Sequence, residues 1–364
     1  MLFRSTRFAL LAVAGIACTV GSAQAAESLR DSLKTGTPEL KSAGPLAFGP
    51  EGILFVGDPQ AAAIYAIDTG DNKPAASTEL PKVTGIDGKI GSLLGIEAKE
   101  LRIADLAVNP ISGNTYLSIA RGKGPDAAAV IVRVDRAGKP AQFELKGVKF
   151  AKTTLPNAVE GTKRQEAITQ IAYAKGKLFV AGLSNEEFAS KLRSIPFPFT
   201  TADRGTSIEI YHGAHGALET KSPIRTFVAY DIKGETNLLA AYTCTPLVRI
   251  PMSQLKPGEK VKGTTIAELG NHNRPLDMIV YTKGGKDYIL MANTKHGVIK
   301  IAADGIGAAP GIKEAKVDDK AGVGYESIAS LKDVVQLDRF DKDHAILLIQ
   351  AKDGPANLET IELP

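Results

Sequence analysis

Six times along the chain, an apolar run of strand length is followed by a short turn containing Gly, Asp or Lys and then by a second apolar run. The clearest copy is PLAFGPEGILFVGDPQAAAIYAID, Pro45 to Asp68. Looser copies begin at Asp105 (DLAVNPISGNTYLSIARG), Gln170 (QIAYAKGKLFVAGL, resuming at SIEIYHG), Phe227 (FVAYDIKGETNLLAAYTC), Asp277 (DMIVYTKGGKDYILMANT) and Asp333 (DVVQLDRFDKDHAILLIQ). The second runs start at Ile53, Thr115, Leu178, Leu238, Tyr288 and Ala345, a spacing of 50 to 63 residues. Turns such as GPEG, AKGK and KGGK suit tight hairpins, because Gly accepts positive φ without steric cost. A repeated hairpin cannot cover its own apolar faces, so it must stack on copies of itself. The pattern therefore predicts an all-β, six-bladed β-propeller, with seven blades a poorer fit. The last unit lacks a fourth strand, and residues 27–41 are expected to supply it and close the ring, which removes exposed strand edges.

The N-terminus reads MLFRSTRFALLAVAGIACTVGSAQAAESLR, a basic start, an apolar stretch too short to span a bilayer, and Ala23-Gln24-Ala25 as a small-x-small cleavage site. Residues 1–25 have the form of a signal peptide, leaving 26–364 as one propeller domain, periplasmic or secreted, with no membrane span. Removing Arg4 and Arg7 lowers the formal charge from +4 to +2. With no clustered basic stripe, nucleic acid is not an expected partner. Of the two cysteines, Cys18 lies in the leader and Cys244 in the body, so the body has no partner for an intramolecular disulfide.

The segment LAFGPEGILFVGD…AIYAID resembles the repeat of NHL-type and gluconolactonase/regucalcin-like propellers. That resemblance implies a ligand or metal site on the upper face, around the channel. The gluconolactonase-like pattern calls for a Glu opening the first inner strand. Here the openers are Pro45, Asp105, Gln170, Phe227, Asp277 and Asp333, so the Glu of a divalent-metal lactonase site is missing.

In a propeller, the loops entering each inner strand share one face with the loops leaving each second strand. On that face the candidate ligand-binding residues are Arg121, Asn185, Arg274, Asp105, Asp277 and Asp333. Arginine forks would clamp a carboxylate or phosphate, and carboxylates opening inner strands would surround the channel. Cys244, His272 and His296 form the candidate metal set, a thiolate and imidazoles suited to copper or zinc, with calcium at the carboxylates less favoured. His212 and His215 in YHGAHG fall after a third strand and are expected in a solvated turn on the lower face. Residues 184–204, SNEEFASKLRSIPFPFTTADR, read as a capped helix followed by a Phe197/Phe199 strip, forming a lid or partner surface. There is no C-x-x-C-H haem motif, no P-loop or Rossmann fingerprint, and no G-x-S-x-G or H-E-x-x-H, so neither haem nor nucleotide is expected. Two readings follow. The upper face binds a small molecule, with or without a metal. Alternatively, the chain is a non-catalytic interaction or scaffold subunit for an exported redox partner.

Overall fold

The computed structural model describes residues 28–364 apart from 125, 245, 314 and 315, so the expected leader at 1–25 lies outside the described residues. The described residues build six sheets, antiparallel except where Lys260–Lys262 adds to the third in parallel, arranged as a six-bladed β-propeller. In chain order, their innermost strands are Leu46–Phe48, Leu101–Val108, Gln170–Ala174, Ile224–Ile232, Pro275–Lys283 and Val334–Arg339. Second strands are buried nearly throughout; Ile53–Asp58 has no exposed residue. Such runs are apolar on both sides because each blade is covered by a neighbour on both faces.

The order of blades around the ring differs from their order in the sequence. Each neighbouring pair shares one apolar cluster, and these clusters join the first blade to the second and third, but the second to the sixth. The remaining clusters link third to fourth, fourth to fifth and fifth to sixth. Around the channel the order is therefore second, first, third, fourth, fifth, sixth. Between the first and third blades, Phe55 meets Phe197 edge-on at 5.0 Å between centroids and stacks on Tyr173 at 5.5 Å. Between first and second, Phe48 meets Tyr116 at 5.2 Å.

Two strand exchanges lock this order. After the first blade, the chain lends Lys82–Val83 to the outer edge of the sixth, Val83 pairing with Leu358. It then forms the helix Ile86–Leu94 and the second blade, and returns to place Val148–Thr154 on the first blade beside Ala63–Asp68. The expected closure by residues 27–41 is thus corrected. Lys34–Gly36 pairs with Val148–Phe150 on the first blade, whereas the sixth blade is completed by Lys82–Val83. The physical reason is burial: Val83 is 5 % exposed within the cluster between second and sixth blades, while Lys34 and Thr35 are exposed. The N-terminal segment is held instead by the buried Asp58 carboxylate, which accepts the Lys41 and Ser42 N–H groups at 2.7 and 3.0 Å.

Residues 184–204 do not form a capped helix. Ser190–Pro196 is a third strand, paired with Lys177–Leu183, and Thr206–His212 is a fourth. Glu186 pairs with the buried Lys191 at 2.6 Å rather than opening a helix. Phe197 is 6 % exposed and packs, with Phe199, in the cluster between first and third blades, so this strip is core and not a partner surface.

The ring order has a direct test. Phe55→Leu and Phe197→Leu, alone and together, should show a coupling of about 0.5–1.5 kcal/mol in a denaturant double-mutant cycle. Blades arranged in sequence order would keep these residues apart, and the two effects would add.

Candidate functional site at the channel mouth

Four inner strands carry a β-bulge at the same level, between Ile103 and Asp105, Ile224 and Thr226, Pro275 and Asp277, and Val334 and Gln336. A bulge re-aims side chains locally, and here two of the re-aimed groups are carboxylates that join neighbouring blades. Asp105 accepts its own Leu106 N–H at 2.8 Å and the Leu46 N–H of the first blade at 2.7 Å. Asp277 accepts Met278 N–H at 2.8 Å and Leu337 N–H of the sixth blade at 3.1 Å. Asp338 does the same with Arg339 at 2.7 Å and Val108 of the second blade at 2.8 Å. Three carboxylates thus staple four consecutive inner strands. Asp105 and Asp277 are 6 % and 5 % exposed, and burial pushes both carboxyls well above the ordinary Asp value; for Asp277 the charge of Asp105 adds to the effect. Asp338 is raised to about 6, also by burial, against the N–H bonds that favour its anion.

Above this ring, where the inner strands begin, opens a cavity of about 480 Å³. Lys41, Arg102, Arg225 and Arg274 line it, and among the described residues Glu166 is the only carboxylate in the lining. The arginines come from three different blades, the second, fourth and fifth. Arg225 is tied down, pairing with Glu166 at 3.0 Å and donating from Nε to Thr243 Oγ1 at 3.0 Å. Arg102 and Arg274 are exposed at the rim and make no ion pair among the described residues. Burial, reinforced by the Arg225 charge, lowers the Arg274 pKa, and Glu166 opposes the shift. Gln60, Gln165 and Gln336 add amides to the wall. Below the carboxylate ring, the other end of the channel widens to about 790 Å³, its wall mixing Phe48, Tyr173, Phe227 and Phe340 with charged residues such as Arg136, Arg339 and Asp341.

Of the residues expected to bind a ligand, Arg274 lies in the mouth, and Asp105 and Asp277 sit deeper, in the stapling ring. Arg121 and Asn185 are exposed and do not line the mouth, and the Asn185 N–H donates to Asn157 O. Asp333 is exposed in a turn with φ 57°, outside the ring; the sixth blade's carboxylate is Asp338, within DRFDKD. Arg225 is absent from the sequence-derived set, although a basic residue two or three positions before the opener recurs at Arg102, Arg225 and Arg274.

The expected metal set is not assembled as written. Cys244 occupies the turn after Glu235–Tyr242, with φ 59° and its N–H donating to Asn273 O at 2.8 Å. Cys244 instead meets His212 and His215, one ligand atom of each lying within 4.8 Å of the others. His272 is exposed, and His296 packs 5.9 Å from the Tyr325 ring, its pKa lowered by burial and by Lys320 and Lys295. The error has a structural cause. Because Ser190–Pro196 is a strand, the run SIEIYH is the fourth strand of its blade and climbs to the upper face. One strand more reverses the direction of the last strand in that blade.

No protein-family model matches the chain, and no curated protein matches it. Solved structures that resemble it include the PQQ-bound aldose sugar dehydrogenase of Streptomyces coelicolor, 14% identical with a TM-score of 0.32, covering 91% of this chain and 96% of that one. An oxidoreductase of Thermus thermophilus, described as a glucose dehydrogenase, is 12% identical with a TM-score of 0.35, covering 90% and 100%. The GH43 endo-arabinanase of Bacillus licheniformis is 13% identical with a TM-score of 0.39, covering 72% and 94%. At these identities and scores, none of them bears on what this chain binds.

The carboxylate ring sets a pH dependence. With raised folded-state values, the native chain holds more protons than the unfolded chain between the ordinary Asp value of 3.8 and about 6. Stability from this source therefore falls as pH rises through that window. In chemical denaturation at pH 4, 5, 6 and 7, Asp338→Asn should remove a drop on the order of 2 kcal/mol. An unchanged pH profile in the variant would place the titration elsewhere.

Proposed function

We propose that the upper mouth of the channel binds a small anionic molecule carrying a carboxylate or phosphoryl group. The observation that carries this reading is the convergence of Arg102, Arg225 and Arg274 from three blades on one cavity with a single carboxylate among the described residues, Glu166. Guanidinium groups present paired N–H donors that match carboxylate and phosphate oxygens. Arg225 is pre-positioned by Thr243 and Glu166, and Arg102 and Arg274 are left for the ligand. A cavity of about 480 Å³ falls in the range of small-molecule sites. Divalent-metal lactonase chemistry is not part of the reading, since Pro45 stands where the gluconolactonase-like pattern has its Glu. The basic, apolar and small-x-small leader at residues 1–25 supports a periplasmic or extracellular setting for this binding role. No helix among the described residues is long and apolar enough to cross a membrane.

The test is calorimetric titration with inorganic phosphate, citrate, a sugar phosphate and a uronic acid, beside neutral sugars. At least one anion should bind in a salt-sensitive manner. Arg274→Ala and Arg102→Ala should each weaken that binding about 10- to 100-fold, the equivalent of one charge-assisted hydrogen-bonded contact. Glu166→Gln, which removes the opposing charge, should strengthen it. Binding of a neutral sugar that is indifferent to all three substitutions would overturn the reading.

A further inference from the structure

A second feature of the upper face lies outside the channel, where the third blade's outer strands meet the turn after Glu235–Tyr242. His212 ends the strand Thr206–His212, His215 follows in the turn to Ala217–Glu219, and Cys244 faces both from the fourth blade. Glu219 organises the pair. Its Oε1 accepts from His212 Nδ1 at 2.9 Å and from His215 Nδ1 at 2.5 Å, while Ser222 Oγ donates to its other oxygen. With both Nδ1 atoms acting as donors, each neutral imidazole keeps its lone pair on Nε2. Carboxylate-held imidazoles of this kind are what metal sites use to fix the tautomer and ring orientation.

His212 supplies an independent indication. Its side chain is buried, the residue being 2 % exposed, yet Nε2 has no hydrogen-bond partner among the described residues. An unpaired nitrogen in that position keeps its full desolvation penalty unless something occupies its lone pair. The two rings lie 3.9 Å apart between centroids, over a cavity of about 440 Å³ walled by His212, His215, Glu219 and Cys244. His212 is locked by burial, while His215, with 56% of its side chain exposed, and the half-buried Cys244 remain free to adjust.

We propose that His212, His215 and Cys244 form a binding site for a thiophilic transition-metal ion, zinc(II) or copper(I), with Glu219 as the positioning carboxylate. Metal–nitrogen bonds of about 2.0–2.1 Å and a metal–sulfur bond of about 2.3 Å require ligand atoms about 3.3–3.8 Å apart. One ring nitrogen of each imidazole and the Cys244 Sγ already lie within 4.8 Å of one another, so closing the site calls for side-chain rotation at His215 and Cys244 rather than movement of the strands. Cys244 binds as the thiolate and releases its proton to solvent. Its negative charge, with that of Glu219, balances a divalent ion. Three protein ligands leave a fourth position for water or an external ligand. The site also adjoins the channel mouth through the backbone. Thr243, next to Cys244, accepts the Arg225 Nε–H, and Cys244 N–H bonds to Asn273, next to Arg274. The metal reading does not depend on anion binding at that mouth.

The experiment is titration of the reduced, metal-free chain with cobalt(II) under anaerobic conditions, followed by zinc displacement and a copper(I) competition assay. One cobalt per chain should bind, giving a thiolate charge-transfer band in the near ultraviolet and tetrahedral d–d bands in the visible. Cys244→Ser should abolish the charge-transfer band, and His215→Ala should weaken binding at least 100-fold. Glu219→Gln should weaken it about 10- to 100-fold while keeping the band. His272→Ala and His296→Ala should leave binding unchanged. Far-ultraviolet circular dichroism of each variant separates ligand loss from misfolding, and Cys244 and His215 are accessible enough to replace without opening the core. Absence of stoichiometric binding in the wild-type chain would overturn the proposal. So would binding that survives in folded Cys244→Ser and His215→Ala, or binding lost in His296→Ala.

Discussion

Every blade of this molecule is a sheet with two apolar faces, and the whole structure depends on covering both. A free blade would expose its second strand on each side, so stability arises only when six blades close on one another. The six inter-blade clusters provide that cover, with fully buried residues such as Ile53, Phe55, Tyr116, Leu239 and Leu347. Each such side chain contributes about 1.5–3 kcal/mol when removed from water, and none can do so in an isolated blade. The ring closes by exchange: Lys82–Val83 completes the sixth blade and Val148–Thr154 the first. These exchanges place the second blade between sixth and first, so the seam is held by covalent chain crossing it twice.

Polar groups at the centre answer a second constraint. Inner strands are the channel-side edges of their sheets, so N–H groups on that side have no ladder partners. Asp105, Asp277 and Asp338 take up such N–H groups across the blade boundaries. Asp338 helps raise the Asp105 pKa, and Asp105 and Asp338 that of Asp277, so the ring that joins the blades also brings like charges together. Cations are kept above it, with Arg102 and Arg274 at the rim and Arg225 held by Glu166. The result is a channel with an acidic waist beneath a basic mouth.

Part of the candidate site was legible in the sequence, and the misses have local causes. Arg274, Asp105, Asp277 and Cys244 stand out as polar residues at strand openings and strand ends, and each lies at the upper end of the ring or in its waist. Asp333 precedes its strand; Gln336 holds the position that Asp105 and Asp277 hold on theirs, and the sixth blade's carboxylate, Asp338, follows two residues further on. The histidines were misplaced by a strand that reads as a helix. SNEEFASKLRS has helix-capping chemistry locally, yet Lys191 and Arg193 are drawn into the interior by Glu186, Ser207 and the Pro156 carbonyl. Tertiary partners outweighed local propensity there, and the alternation of strand direction carried the error to His212 and His215.

The sequence by itself determined that this chain is a closed ring of six β-sheets. Hairpin periodicity, turn glycines and apolar second strands are local properties, and only a closed repeat satisfies all six copies at once. What the tertiary structure alone decided is which blades are neighbours, which face each loop meets, and hence which polar residues converge. Those depend on strand exchange between distant segments, Val83 with Leu358 and Phe150 with Ile67. A repeat in which every unit presents a similar apolar face to its neighbours cannot specify such pairings from within one unit. The grouping of Arg225 with Arg274, and of Cys244 with His212 and His215, follows from closing the ring and exists only once it is closed.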